Sequence, residues 1–521
     1  MKNIFAFLAV TLFTATTLAQ GNLTVVSGAT LTINEDASIT ASGNFTNTGT
    51  VTLNSTADNF SSIIVGNGIS GSSSGDIVYN RYVNTVGTGE WDLVGSPVDG
   101  LSINDFVTTN SSVLATNGSA YAVGYHDNTD DSWTNYTTST VGGAGNFDTA
   151  RGYQMATSSG ATMAFTGSIA TTDQTQSIVN KNGNGTGGRR WNLVANPFPS
   201  YLNANTNAHA SNNFLSVNTS VIDSAFLALY GWAADGSGYT IYNNTTSATY
   251  IAPGQGFFIA ADSNPNIALN FTAAMRTTSG TGDFVLGPQA LVYRLALKLY
   301  NADVEQAKTN FYFKNGLTLG LDPGYDAGAY SQSTKLSTRL PVGSQEFAFA
   351  INAMDINSLE NTRVPLEIRQ NAGQAFTISM ADMELPEDIY VYLEDTLNGT
   401  VTSLKEGDFE LVAQSDLSGA ERFFIVFKDN SVLSSGDTLG IDTLNVFKAN
   451  TDSFVTIAGI TPDIGKLDVT LYNILGMTVR EKALNPATTT QRVSTDGLAT
   501  GLYVVQVRSG NQILNKKIIV E

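Results

Sequence analysis

From Leu291 to Leu299 every odd position is apolar, while Arg294 and Lys298 fall on the opposite face. A period of two marks a half-buried β-strand. Similar short runs recur at 309–313, 346–351, 364–368, 376–380, 389–393 and 422–427, separated by turn-forming residues. They predict an antiparallel sandwich over residues 284–430, of jelly-roll or immunoglobulin-like type. Residues 20–78 carry briefer runs, Leu23–Val25, Leu31–Ile33, Ile39, Phe45 and Val51–Leu53, set apart by Gly or Asn. These fit a solenoid-like β-repeat region or an ordinary meander. Helical periodicity is sustained over several turns nowhere, so the predicted class is all-β and multi-domain.

Residues 79–283 contain a duplication. Trp91-Asp92-Leu93-Val94-Gly95-Ser96-Pro97 matches Trp191-Asn192-Leu193-Val194-Ala195-Asn196-Pro197 at an offset of 100. Ser119–Tyr125 then parallels Ser224–Tyr230, Arg151–Ala156 parallels Gln255–Ala260, and Phe165-Thr166 parallels Phe271-Thr272. Four landmarks in one order predict two related β-modules, 79–178 and 179–283. In each, the Trp opens an alternating strand, and the Pro, which has no ladder donor, ends it. Two linkers are expected, one at Arg276–Asp283 and one at Asn430–Thr443.

Charged residues are only 14% of the chain, and the net charge is −19. Thr, Ser, Asn and Gly must therefore supply the polar surface. The acidic balance argues against a nucleic-acid or anionic-lipid partner. With no cysteine, disulfides, thiol catalysis and Cys-based metal sites are excluded. The two histidines, His126 and His209, are expected in polar loops. No Gly-x-Ser-x-Gly, HExxH, Walker or dinucleotide motif is present. No catalytic residue is assigned, and the chain reads as non-enzymatic.

Lys2, the apolar run Ile4–Leu12 and Thr17-Leu18-Ala19 form a secretory signal pattern over 1–19, with cleavage between Ala19 and Gln20. The apolar run is far shorter than the ~20 residues that span a bilayer, so no transmembrane anchor is expected. Calcium is the one cofactor with candidate ligands, at Asp127-Asn128-Thr129-Asp130-Asp131 and Asp322-Pro323-Gly324-Tyr325-Asp326. A solvated acidic turn is the simpler explanation of each. Trp133, Trp232, Tyr239 and Tyr242 lie in Gly- or Asn-rich stretches where an exposed ring could stack on a sugar, although strand aromatics also serve as cross-strand partners.

The C-terminus carries Leu471-Tyr472-Asn473-Ile474-Leu475-Gly476, then Leu498-Ala499-Thr500-Gly501-Leu502-Tyr503-Val504-Val505-Gln506-Val507, and finally Lys516-Lys517-Ile518-Ile519-Val520. Together these resemble the type A C-terminal sorting domain of the type IX secretion system of the Bacteroidota. The resemblance implies a small immunoglobulin-like sandwich over 444–521, with Gly476, Gly501, Tyr503, Val505, Lys516, Lys517 and Val520 as its motif positions. It also implies Sec export, recognition by the type IX machinery, and delivery to the cell surface or the medium. The usual Tyr-Pro-Asn-Pro-like opening is replaced by Val446-Phe447-Lys448-Ala449-Asn450. The phylum also glycosylates Asp-Ser/Thr-apolar sites, which Asp395-Thr396-Leu397, Asp437-Thr438-Leu439 and Asp442-Thr443-Leu444 resemble. For the cargo, three functions are carried forward. The first is an adhesive or structural surface protein, the second a carbohydrate-binding accessory that contacts surface polysaccharide or another glycan, and the third a glycan hydrolase using a carboxylate pair.

Overall fold

The computed structural model describes residues 21–66, 72–87, 91–181, 188–233, 238–262, 266–280, 293–429, 444–448, 452–460, 466–484, 489–509 and 512–520, with strand segments at 4–5, 10–12, 16–19 and 285–286. Strands dominate from end to end. The chain divides into two compact units, Met1–Ala290 with Pro323–Tyr330, and Leu291–Asp322 with Ser331–Glu521.

The first unit begins as three parallel sheets wound by one chain. Leu23–Val25 pairs with Phe45–Asn47, Thr30–Ile33 with Thr50–Asn54, and Ser38–Ala41 with Ser62–Val65, all in parallel. Ile4–Phe5, Val10–Leu12 and Thr16–Ala19 pair the same way one coil earlier. Ala19, on the near side of the expected cleavage, pairs with Ala41; Gln20 lies outside the described residues. This is a solenoid, because a meander would pair its strands antiparallel. Successive coils stack like on like: Leu23 on Phe45, Leu31 on Val51 and Ile39 on Ile63, all buried. The asparagines stack too. Asn54 donates to Asn34 at 3.2 Å and Asn80 to Asn54 at 2.9 Å, so each coil supplies the acceptor for the next.

Two modules follow with the same element order. The first comprises β1 (Ile77–Val83), β2 (Asp92–Val94), α1 (Ile103–Thr109), β3 (Ala120–Asp127), β4 (Ser132–Thr137), β5 (Tyr153–Met155) and β6 (Ala161–Gly167). The second comprises β7 (Gln174–Ile178), β8 (Trp191–Ala195), α2 (Phe214–Val217), β9 (Leu229–Trp232), β10 (Tyr239–Tyr242), β11 (Gly256–Ala260) and β12 (Ile267–Phe271). The sheets are ordered β2-β5-β3-β4 and β8-β11-β9-β10. The first strand of each module pairs antiparallel with its last.

Each short helix is fastened by one asparagine. Asn110, the C-cap of α1, donates to the carbonyls of Phe106 and Ala164 and accepts from the Ala164 amide. Asn218, the C-cap of α2, does the same with Phe214 and Asn270. Both side chains are buried. Alanine at either position removes three bonds and strands buried backbone groups, each costing about 1–3 kcal/mol. We expect Asn110→Ala and Asn218→Ala each to destabilise the first unit measurably in chemical denaturation. Two variants with wild-type midpoints would refute this fastening role.

The modules meet about a local pseudo-two-fold. Gly95 N donates to Gly254 O and Ala195 N to Ala150 O. The bridges Val94–Gln255 and Arg151–Val194 repeat the relation. Gly254 and Ala150 share a left-handed backbone, with φ of 66° and 59°. Alanine tolerates that conformation poorly, so the contact itself holds Ala150 there. The approach requires small residues: a Cβ on Gly152 would lie 2.6 Å from Leu193 Cγ, and one on Gly256 2.7 Å from the Leu93 carbonyl carbon. The solenoid packs on the second module through Ile63 N to Pro199 O, and through Arg276, whose guanidinium donates to the Val65 and Gly66 carbonyls.

The second unit contains a large sheet running from Thr400–Ser403 at one edge to Phe409–Val412 at the other. Leu295, Leu297 and Leu299 enter its core with Phe311, Phe427 and Ile425. Arg294 and Lys298 face outward and pair with Glu384 and Glu305. One pairing, Asn310–Phe313 with Ile351–Met354, is parallel, which alternation alone does not foretell. Glu367 and Asp395 are buried and held by arginines: Glu367 by Arg339 and Arg369, Asp395 by Arg422.

The terminal domain has two sheets on one core. Asn445–Phe447, Phe454–Ala458 and Thr490–Ser494 form the smaller. The larger is ordered β14-β13-β15-β16, with β13 (Leu467–Asn473), β14 (Thr478–Leu484), β15 (Gly501–Ser509) and β16 (Gln512–Val520). The 430–443 linker, with its two Asp-Thr-Leu sequences, lies outside the described residues.

Candidate functional site

The outer face of the second module's sheet is aromatic. Pairing aligns Leu193 with Phe258, Phe258 with Tyr230, Tyr230 with Ile241, and Trp232 with Tyr239. Alternation sends Val194, Phe257 and Ile259 to the core on the other face. The segment Pro323–Tyr330 docks on this surface. Asn244 N and Asn243 Nδ2 donate to the Gly324 and Tyr325 carbonyls, and Tyr230 Oη donates to Gly328 O at 2.7 Å. Gly328 is required here, since a Cβ would sit 2.3 Å from the Phe226 ring. Tyr330 then stacks between Trp191 and Tyr239, with centroids 4.5 and 3.8 Å away. Burial pushes the Tyr330, Tyr239 and Tyr230 phenols above their ordinary range, so they stay neutral.

The first module contributes the end of its β3–β4 hairpin. His126 and Trp133 pair across the strands in the register held by Trp232 and Tyr239 in the second module, both shifted by 106 positions. His126, expected in a polar loop, is 8% exposed, because β3 continues to Asp127 and carries the ring inward. Its edge meets Trp133 at 5.3 Å and Phe258 at 5.1 Å. Its Nε2 lies 2.9 Å from Asp131 Oδ1. Trp133 remains 40% exposed.

The acidic turn is self-capped. Asp127 accepts from Thr129 N, a bond that holds its carboxyl below the usual range with further help from His126 and Arg151. Asp130 accepts from Ser132 Oγ. Asn128 ties the turn to the second module by donating to Val179 O and Asn192 Oδ1. Beside it opens a groove of about 260 Å³ lined by His126, Asp127, Asn128, Arg151, Gln176 and Asn192, among others. Among the described residues, no group of three or more His, Asp or Glu could hold a metal ion.

Of the four aromatic candidates, Trp133, Trp232 and Tyr239 therefore gather on one surface around Phe258. Tyr242 packs instead against the second module's core. His209 is a local cap, accepting from the Ser211 and Asn212 amides. Phe258 and Tyr330, which organise the strip, escaped the sequence reading: Phe258 looks like one more strand residue, and Tyr330 lies in a distant part of the chain. Among the sorting positions, Tyr503, Val505 and Val520 are buried, Gly476 turns the β13–β14 hairpin at φ 77°, Gly501 begins β15, and Lys516 and Lys517 are exposed. At Asp395-Thr396-Leu397, the aspartate is buried and the Thr396 hydroxyl donates to Arg422 O.

Residues 8–427 match the family model described as a domain of unknown function, DUF8693. The chain belongs to this family. The DUF8693 region thus takes in the described solenoid from Val10 onward, both modules and the strands up to Phe427, and the aromatic strip lies wholly within it. Beyond it, residues 451–521 match the secretion system C-terminal sorting domain. This DUF8693 protein is therefore exported by the type IX system to the cell surface or the extracellular space, and its sorting domain is handled by that machinery. No helix among the described residues is long and apolar enough to cross a membrane. No curated protein matches the chain. Among solved structures, a biofilm-associated protein's BSP domain aligns at 9% identity over 85% of this chain and 90% of that one, with a TM-score of 0.14.

Proposed function

We propose that this protein is a non-enzymatic adhesive protein of the cell surface or its surroundings, and that it makes contact through carbohydrate. The observation that carries this is the solvent-facing indole of Trp133 on a strip shared with His126, Trp232 and Tyr239. Aromatic rings joined to a polar rim suit a ligand that is apolar on one face and hydroxylated at its edge. The neighbouring carboxylates support binding over hydrolysis, because Asp127, Asp130 and Asp131 each already serve the turn or His126.

Retention of the purified protein on insoluble polysaccharides tests this. Trp133→Ala should weaken retention at least ~10-fold, since anchors of this kind carry ~2 kcal/mol or more, while circular dichroism shows the chain still folded. Wild-type protein that is retained by no polysaccharide would remove the carbohydrate contact.

A further inference from the structure

We infer that the strip is a two-subsite platform, one subsite from each module, holding an internal stretch of an uncharged polysaccharide chain. The inference rests on the carbohydrate reading above and adds the ligand's class and length.

The first support is register. His126 and Trp133 occupy in the first module the positions that Trp232 and Tyr239 occupy in the second. The duplication has therefore placed a cross-strand ring pair at matching points of two hairpins. The second support is contact. Both pairs converge on Phe258, whose centroid lies 6.1 Å from Trp133 and 5.8 Å from Tyr239. Phe258 is itself buried and Tyr330 covers one face of Tyr239, so the rings left to meet a ligand are Trp133 and the half-buried Trp232, one from each module, which suits successive residues of a chain more than a single terminal sugar. Asn128, bonded to Val179 and Asn192, fixes the first hairpin against the second module and so sets the spacing.

Charge narrows the class. Asp127, Asp130 and Asp131 stand at the Trp133 end, within a chain of net charge −19. Arg151, the cation beside the groove, is paired with Asp148 and lies over Tyr125. A polyuronate or sulfated glycan would meet like charge, which suppresses wrong partners at an interface. A neutral chain would not. Filling the second subsite once the first is held is an intramolecular step, so affinity should climb with chain length.

The test is calorimetric titration of the full mature chain with cello-, manno- and laminari-oligosaccharides of two to seven units, and with alginate as the polyanion. For at least one neutral series, affinity should rise at least ~10-fold with length and then level off. Trp133→Ala and Trp232→Ala should each flatten that rise in a chain that circular dichroism shows to be folded, and alginate should not bind. Binding that is insensitive to length, or alginate bound as tightly as the neutral series, overturns the inference and leaves the carbohydrate reading standing. Binding of alginate alone likewise overturns only the inference, whereas a folded chain that binds neither alginate nor any neutral series removes both.

Discussion

Gly256→Val will collapse the first unit. A Cβ at Gly256 would stand 2.7 Å from the carbonyl carbon and 2.8 Å from the oxygen of Leu93, and neither atom can rotate away because both are backbone. Valine adds two methyl groups at the same place. Overpacking of this kind typically costs ~1–3 kcal/mol, and here relief also requires parting the bonds that join the modules, so the expected loss is about 3 kcal/mol or more. The control is Gly142→Val, where nothing lies within 4 Å of the added atom and the backbone is ordinary. Urea denaturation should show a large fall in midpoint for the first variant and little change for the second. Equal midpoints would mean that the modules do not meet as described.

Removing Gln512–Val520 will abolish delivery. These residues form β16, which pairs with β15 along its whole length from Gly501–Val520 to Ser509–Gln512. They also bring Ile518 and Val520 into a core with Leu467, Val469, Leu471, Val505 and Val507. A core this small supplies only ~3–5 kcal/mol, so losing two buried aliphatics and an entire ladder leaves the domain unfolded. Fractionation should then find the protein retained inside the cell envelope, with none on the surface or in the medium. Val505→Asp, which buries a carboxylate among aliphatics at a cost of several kcal/mol, should behave alike without shortening the chain. Normal delivery of both variants would show that the folded sheet is not what the machinery reads.

The strands of the large sheet were legible because alternation reports burial directly. Leu295, Leu297 and Leu299 lie inside, and Arg294 and Lys298 outside, as the odd and even positions require. Register was harder to read. Pairing Tyr125 with Tyr230 matches two like residues at an offset of 105, yet the hairpins coincide at 106, where Gly124 holds the place of Tyr230. One step along a strand exchanges its faces. Tyr125 therefore packs toward its module's core, while Tyr230 looks onto the aromatic strip. The same rule separates Tyr242 from Tyr239. The docking of Tyr330 had no local signature, because a contact between residues 191 and 330 leaves no trace in either neighbourhood. Nor does a short apolar run between turns say whether its partner strand is parallel, so residues 23–65 were compatible with both a coil and a meander.

The paired junction of the modules, in which Gly95 reaches Gly254 and Ala195 reaches Ala150, is built like the seam of a homodimer. A homodimer sent outside a cell faces unlimited dilution, and mass action would separate its halves. Here both halves belong to one polypeptide, so each meets the other at a local concentration that the surrounding volume cannot lower. The seam, and the strip of rings it aligns, can therefore persist in open water at a single molecule per cell.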